Sequence, residues 1–298
     1  MMLIAGTVPI RGLPLTMGRA AREGEDLVVD GQRIPCAQGT GAMIGAALAA
    51  VGYLKLEAPQ VVLAGDIGQG KGSREIYEYL TQKVGDICPQ VMVLHYCLPI
   101  MALMRRLCES MERCADRVLM IGDAGSMYAA KATGLASRFD IFTPDASEMA
   151  FLADPDATHP AYVVRHLFDS DVGRTPELVA AAYAHSNAAR LLLVKGAIDY
   201  VVDGGDIVAT VAEPDVPALE AVGGTGDTIT GLVSAFVYAG LELQEAATIA
   251  ARSNRMAGKF AEATPATRVQ QVIGQFQAVF EEYLCQWSGV CHTAGGQQ

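Results

Sequence analysis

Five consecutive residues, Gly223-Gly224-Thr225-Gly226-Asp227, combine the residue types that phosphate chemistry needs. Glycines let the backbone approach a ligand closely and point several N–H groups at one spot. The apolar run that follows, Thr228 to Gly240, reads as a helix. Its first turn carries unpaired N–H donors and the positive end of the dipole. Together they predict an anion site, with phosphate the commonest such anion. The acid inside the same turn is the unusual part. A carboxylate at Asp227 would stand beside the phosphate and could take the proton of a hydroxyl attacking it. Taken alone, the segment reads equally well as a plain turn with a good residue in the first helical turn.

Polar residues and glycines recur at the ends of short apolar runs elsewhere: Gly65-Asp66, Gly122-Asp123, Thr143-Pro144-Asp145 and Lys195-Gly196. Each alone is an ordinary exit turn. Ligands of open α/β sheets bind at the C-terminal ends of strands, so several such ends gathered with Gly223–Asp227 on one sheet edge would make a site.

The elements needed for that gathering are legible from Gly39 onward. Gly39-Thr40-Gly41 opens a small-residue helix to about Leu54. The runs 61–64, 91–94, 118–121, 140–142 and 191–194 read as short strands. Between them lie helical patterns at 73–84, 99–112, 124–135 and 176–186, with Glu148 in a further helix after Asp145. Strands alternating with helices mean βαβ units and a parallel sheet. A hairpin is expected around Asp203-Gly204-Gly205, and three helices are expected to close the chain at 226–239, 243–261 and 268–284. Asp154 to Arg174 is the most polar connection and reads as a loop or lid. Met1 to Arg33 is the least readable part, apart from a short hairpin at Asp30-Gly31, and the N-terminal segment 1–38 has no clear role. The tail, 285–298, is expected to be disordered. No linker divides the 298 residues, so the chain is read as one α/β domain.

Composition narrows the functions. The formal charge is −11, and the densest basic pair, Arg105-Arg106, lies on an apolar helix; both argue against nucleic acid as a partner. Ala42 to Leu54 is the longest apolar stretch and is too short to cross a bilayer, and Met1 to Gly6 is too short for a signal peptide. None of the seven cysteines has C-x-x-C spacing, and their apolar neighbours suit free thiols in a reducing cytoplasm. A metal site at Cys285, Cys291 and His292 lacks a visible fourth ligand.

The order of these segments resembles the ribokinase-like superfamily, and within it the ADP- or ATP-dependent NAD(P)H-hydrate dehydratases, from about Gly39 to about Leu284. The segment 224–231 (GTGDTITG) resembles their anion-hole signature, which kinases of the superfamily share. Gly39-Thr40-Gly41 is similar to the glycine turn before their first long helix, and 61–70 (VVLAGDIGQG) to their Gly-Pro-Gly loop, with Asp66 in place of the proline. Asp123-Ala124, Thr143–Glu148 and 194–197 (VKGA) are similar to further strand-end segments. This chain departs at Asp145, where those dehydratases carry histidine, and at Ser253-Asn254, near which a His-Gly pair is expected.

The resemblance implies a ribokinase-like three-layer α/β/α fold with a mainly parallel sheet, and ATP or ADP with Mg²⁺ as cofactors. It implies an anion hole at Gly224, Thr225 and Gly226, Asp227 as the base, and a nucleotide bordered by Lys195, Gly196, Gly223 and Thr228. Asp123, Asp145, Glu148, Gly39, Gly41 and Asp66 would face substrate or metal-bound water, with no direct protein ligand to the metal. The implied activity is dehydration of NAD(P)H hydrate. The alternatives are a kinase acting on a small hydroxyl compound, such as a sugar or vitamin precursor, and a nucleotide-binding regulator without turnover. A cytoplasmic homo-oligomer is expected.

Overall fold

The structure is a computed structural model that describes residues 1–157 and 174–289. Most of the polar connection 154–174, read as a loop or lid, falls outside the described residues, as do 290–298.

Among the described residues, nine strands form one sheet in the order β12-β11-β10-β9-β8-β7-β1-β6-β2, numbered along the chain with the ranges given below. Six of them, β6 (Gln60–Gly65), β1 (Met2–Val8), β7 (Val91–His95), β8 (Leu119–Gly122), β9 (Ile141–Phe142) and β10 (Leu191–Val194), are parallel. Antiparallel strands finish both edges: β2 (Thr16–Arg19) on β6, and β11 (Asp199–Asp203) with β12 (Asp206–Val211) beyond β10. A separate small sheet, β3 (Ala21–Glu23), β4 (Asp26–Val29) and β5 (Gln32–Pro35), contains the expected hairpin. Its turn residues Asp30 and Gly31 both have positive φ, the conformation a tight two-residue hairpin demands.

Strand β1 corrects the reading of the N-terminal segment as having no clear role. Every residue of β1 is buried, and it lies inside the sheet between β6 and β7. Successive side chains of a strand point to opposite faces, so Met2, Ile4 and Val8 enter one core while Leu3 and Ala5 enter the other. No helix follows β1 directly. The chain runs through β2–β5 before reaching α1 (Gly39–Tyr53), which is why strand–helix alternation did not reveal it.

Helices cover both faces. On one side lie α1, α7 (Thr225–Tyr238) and α8 (Leu243–Phe260). On the other lie α2 (Lys71–Ile87), α3 (Met101–Met111), α4 (Gly125–Ala132), α5 (Ala146–Ala153) and α6 (Thr175–Ala184). The result is three layers, α/β/α, as expected. Helices α1 and α7 meet almost backbone to backbone: a Cβ on Gly231 would lie 2.1 Å from the Met43 carbonyl oxygen. Their glycines set the angle at which both helix N-termini reach the sheet edge.

The expected last helix, 268–284, is broken at Gly274-Gln275 into α9 (Val269–Ile273) and α10 (Phe276–Val279), followed by a wider turn over Phe280–Leu284. Residues Cys285–Ser288, expected to be disordered, are helical, with Trp287 stacked on Tyr283 at 5.2 Å. Cys36, Cys88, Cys97, Cys108 and Cys114 are free thiols as expected, whereas Cys285 is disulfide-bonded.

Candidate active site

Helix α7 starts at the glycine-rich segment. Gly224 is its N-cap residue with φ 99°, and a Cβ there would stand 3.1 Å from Gln38 Cα, so both backbone shape and space require glycine. Asp227 falls in the first helical turn. The N–H of Gly39, the first residue of α1, donates to Asp227 Oδ2 at 2.7 Å. One carboxylate thus lies at two helix N-termini, an arrangement both dipoles favour. Its other oxygen, Oδ1, lies 3.1 Å from Nε2 of His95.

His95 ends β7 and is fully buried. The sequence did not single it out, because the apolar run was closed at Leu94 and the polar residue after it was not counted among the strand ends. The signal available was a polar residue at the C-terminal end of a parallel strand, the same signal that singled out Asp123 and Lys195. His95 Nδ1 lies 2.9 Å from the Thr40 hydroxyl, which itself donates to the Thr7 carbonyl at 2.7 Å. With its hydrogen so used, Thr40 Oγ1 accepts, and Nδ1 is the donor. Nε2 points between Asp227 and Asp123, 3.5 Å from Asp123 Oδ2, without a well-aligned hydrogen bond to either. Burial works to lower the imidazole pKa, but the two carboxylates outweigh it and hold the value up at about 9.

Asp123, just beyond β8, is only 2% exposed. Lys195 Nζ lies 3.1 and 3.2 Å from its two oxygens, the Thr230 hydroxyl donates to Oδ2 at 2.5 Å, and the Ala124 N–H donates to Oδ1 at 2.8 Å. Burial would raise the pKa of Asp123, yet Lys195 and His95 hold it well below the usual carboxylate range. Lys195 shifts upward against its own burial, chiefly through Asp123. His95, Asp123 and Asp227 each present a ligand atom within 4.8 Å of the others, close enough for a metal ion. Their two negative charges are already met by His95 and Lys195, so the arrangement is a closed ion-pair cluster.

The other expected residues divide by what they touch. Asp145 accepts the Glu148 N–H at 2.8 Å and the Ser147 hydroxyl at 2.7 Å, both on Oδ1, and the Glu148 carboxylate accepts the Asp145 N–H at 2.9 Å. This is a capping box at the start of α5, so the aspartate that stands in place of histidine has a local structural reason. Asp145 remains exposed, and Oδ2 keeps lone pairs for a metal-bound water. Glu148 is buried; burial first, then Asp123 and Asp145, pushes its pKa up to about 8. Asp66 is spent on its own loop, accepting the N–H groups of Gly68, Gln69, Gly70 and Ser73 and the Ser73 hydroxyl. Gly41, expected beside substrate, instead packs on Pro35, whose carbonyl oxygen would lie 2.3 Å from any Cβ. Thr228, expected beside the nucleotide, is fully buried, and its hydroxyl is shared between Asn254 Oδ1 and the Thr225 carbonyl.

Two cavities flank the start of α7. The larger, about 500 Å³, is lined by Asp145, Lys195, Gly196, Thr225, Gly226 and Asn254 among others. The smaller, about 440 Å³, includes Thr40, Asp66, Tyr96, Gly223, Gly224 and Asp227. A Cβ on Gly226 would be 3.7 Å from Lys195 Nζ, so that face of the turn is open toward the larger cavity. The glycine turn is therefore a partition, with first-turn N–H groups and Lys195 on one side and the Asp227 carboxylate on the other. The Thr225 N–H is partly used by the Val222 carbonyl at 3.4 Å.

Arg255, also missed from sequence, shapes the larger cavity. Its buried guanidinium donates to Asp199 and to the carbonyls of Gly196, Ala197 and Ala212, fixing the exit of β10. It stands one residue beyond Ser253-Asn254, where the resemblance led us to expect His-Gly.

The chain is similar to known proteins in sequence and in fold. Residues 36–274 match the family profile described as NAD(P)H-hydrate dehydratase. The "Uncharacterized protein MJ1337" of Methanocaldococcus jannaschii is 34% identical over 242 residues, 81% of this chain and 100% of that protein. The bifunctional NAD(P)H-hydrate repair enzyme Nnr of Pyrobaculum aerophilum is 33% identical over 158 residues, 52% of this chain and only 28% of the enzyme. Among solved structures, phosphofructokinase-2 from Escherichia coli superimposes with a TM-score of 0.53 at 13% identity, covering 93% of this chain and 98% of that one. Pyridoxal kinase from Entamoeba histolytica gives 0.52 at 13% identity, covering 92% and 94%. The two kinases establish a ribokinase-like fold, and the profile match over most of its length shows that the chain belongs to the NAD(P)H-hydrate dehydratase family.

Proposed function

We propose that the protein is a nucleotide-dependent NAD(P)H-hydrate dehydratase with its chemistry centred on Asp227. The observation that carries this reading is the partition at the start of α7. It separates a cavity with the features of a phosphoryl-donor site from one in which a hydroxyl can meet a carboxylate. ATP or ADP would lie beside Lys195 and Gly196, its terminal phosphate at the N–H groups of Gly226 and Asp227. Mg²⁺ arriving with the nucleotide would neutralise phosphate charge, with Asp145 Oδ2 available to its waters.

The substrate hydroxyl would enter from the smaller cavity. Asp227 takes its proton as the oxygen bonds to phosphorus and the bond from phosphorus to the departing nucleotide breaks. Elimination of the phosphate ester then breaks the carbon–oxygen bond, and loss of a ring proton restores the double bond. Orientation and electrostatic stabilisation supply most of the rate in such a step.

A second reading, a kinase that stops after the transfer, has one observation in its favour. Among the described residues, the smaller cavity carries two carboxylates, Asp66 and Asp227, and no lysine or arginine. That suits an uncharged hydroxyl compound better than a phosphorylated one. Recovery of absorbance at the reduced-nicotinamide band, from hydrated NADH with ATP or ADP and Mg²⁺, tests the first reading. A phosphorylated product that persists in mass spectra would identify the second.

A further inference from the structure

His95 is fully buried and lines neither cavity, so substrate does not reach it. Yet it is the group through which Asp227 meets the rest of the cluster. We propose that His95 is a positioning residue: a buried imidazolium that clamps Asp227 in its proton-accepting orientation and ties it to the Asp123–Lys195 pair.

Three observations carry this inference. The Thr7–Thr40–Nδ1 chain makes Nδ1 a donor and turns Nε2 toward the carboxylates. A bare Nε2 lone pair facing two carboxylates is repulsive, so the contacts at 3.1 and 3.5 Å call for a proton there. The Gly39 N–H holds Oδ2 of Asp227, leaving Oδ1 for the imidazolium, so the carboxylate is gripped at both oxygens. The inference deepens the proposed function, because it assigns what fixes the base in that reaction.

The groups facing His95 are Asp227 from α7, Asp123 from the end of β8, Thr40 from α1 and the Tyr96 ring, which lies edge-on at 4.5 Å; Lys195 from β10 acts through Asp123. Burial raises the Tyr96 phenol well out of the working range, and Asp123 does the same for Lys195. Burial, then Asp123 and Asp145, pushes the Glu148 carboxyl up to about 8. A bulk pH profile therefore mixes Glu148 with His95, and a residue-specific probe is needed.

That probe is the imidazole NMR signal of His95 in the intact protein, assigned by its loss in His95→Gln. The expected result is an imidazolium at neutral pH with a midpoint near 9, falling by about a unit or more in Asp227→Asn. A midpoint at or below the ordinary value of 6.5 overturns the proposal, and so does indifference to Asp227→Asn. This measurement needs no substrate, so it stands or falls separately from the dehydratase reading.

Kinetics give the second arm. Removing the imidazolium that faces Asp227 Oδ1 at 3.1 Å predicts a loss of about 10- to 100-fold in kcat for His95→Gln, with KM nearly unchanged. A rise in KM that matches the fall in kcat would mark a merely structural histidine and contradict the clamp.

Discussion

The N–H of Gly39 donates to the carboxylate of Asp227 at 2.7 Å, joining two residues 188 positions apart. The two glycine turns, one opening α1 and one opening α7, thereby become one site. Each helix start supplies positive potential, and the close approach of α1 to α7 at Gly231 fixes their relative placement.

Gly224 and Gly226, two of the three glycines before Asp227, should respond differently to substitution. A side chain at Gly226 meets only ordinary contacts around Lys195 but projects into the larger cavity. Gly226→Val should therefore abolish most nucleotide affinity while leaving the melting temperature close to wild type. Gly224 has φ 99°, and a Cβ there would have atoms of Gln38, Ala42 and Val269 within 3.3 Å, so Gly224→Ala should cost stability, about 1–3 kcal/mol. Calorimetry with ATP and ADP and thermal denaturation measure both; unchanged affinity in Gly226→Val would contradict the partition.

Lys195 is the main cation on a nearly inaccessible carboxylate. Lys195→Met leaves His95 as the one cation for the two carboxylates Asp123 and Asp227, and breaking such a buried pair costs about 3–5 kcal/mol. Chemical denaturation should show this loss, and the double variant Asp123→Asn/Lys195→Met should recover part of it. Additive losses in the double variant would mean the two side chains do not act as a pair.

Glu148 predicts a pH signature. Its pKa rises from 4.5 to about 8 on folding, through burial and then Asp123 and Asp145. The native state therefore holds the proton more tightly than the unfolded chain. The stabilisation is fully present below about pH 4.5 and is lost as pH rises through about 8. Glu148→Gln cannot ionise, so its melting temperature relative to wild type should climb across that window. A difference that stays flat from pH 4.5 to 8 would show that Glu148 is not held protonated.

Much of the site was legible because strand-end polar residues and glycine turns leave local marks. Gly223–Asp227, Lys195 and Asp123 were visible in this way, and so was the parallel α/β architecture. What escaped depended on partners distant in sequence. His95 reads as one more core residue until the sheet brings it beside Asp123 and Asp227. Arg255 sits in an ordinary helical pattern, and only the fold shows it holding the exit of β10. Strand β1 was hidden by an unusual connection through hairpins. Asp66 and Thr228 were expected beside ligands: Asp66 does line the smaller cavity, with its oxygens also held by its own loop, whereas Thr228 is buried and its hydroxyl is met by Asn254 and the Thr225 carbonyl.

The central claim is that Asp227 accepts the substrate proton in a nucleotide-dependent step. It is tested most directly by the turnover number of Asp227→Asn on hydrated NADH with ATP or ADP and Mg²⁺. The substitution is nearly isosteric and removes the basic carboxylate. The expected result is a loss of about 10² to 10⁴ in kcat, the usual scale for a general base, with nucleotide affinity little changed. Turnover within a few-fold of wild type would contradict it.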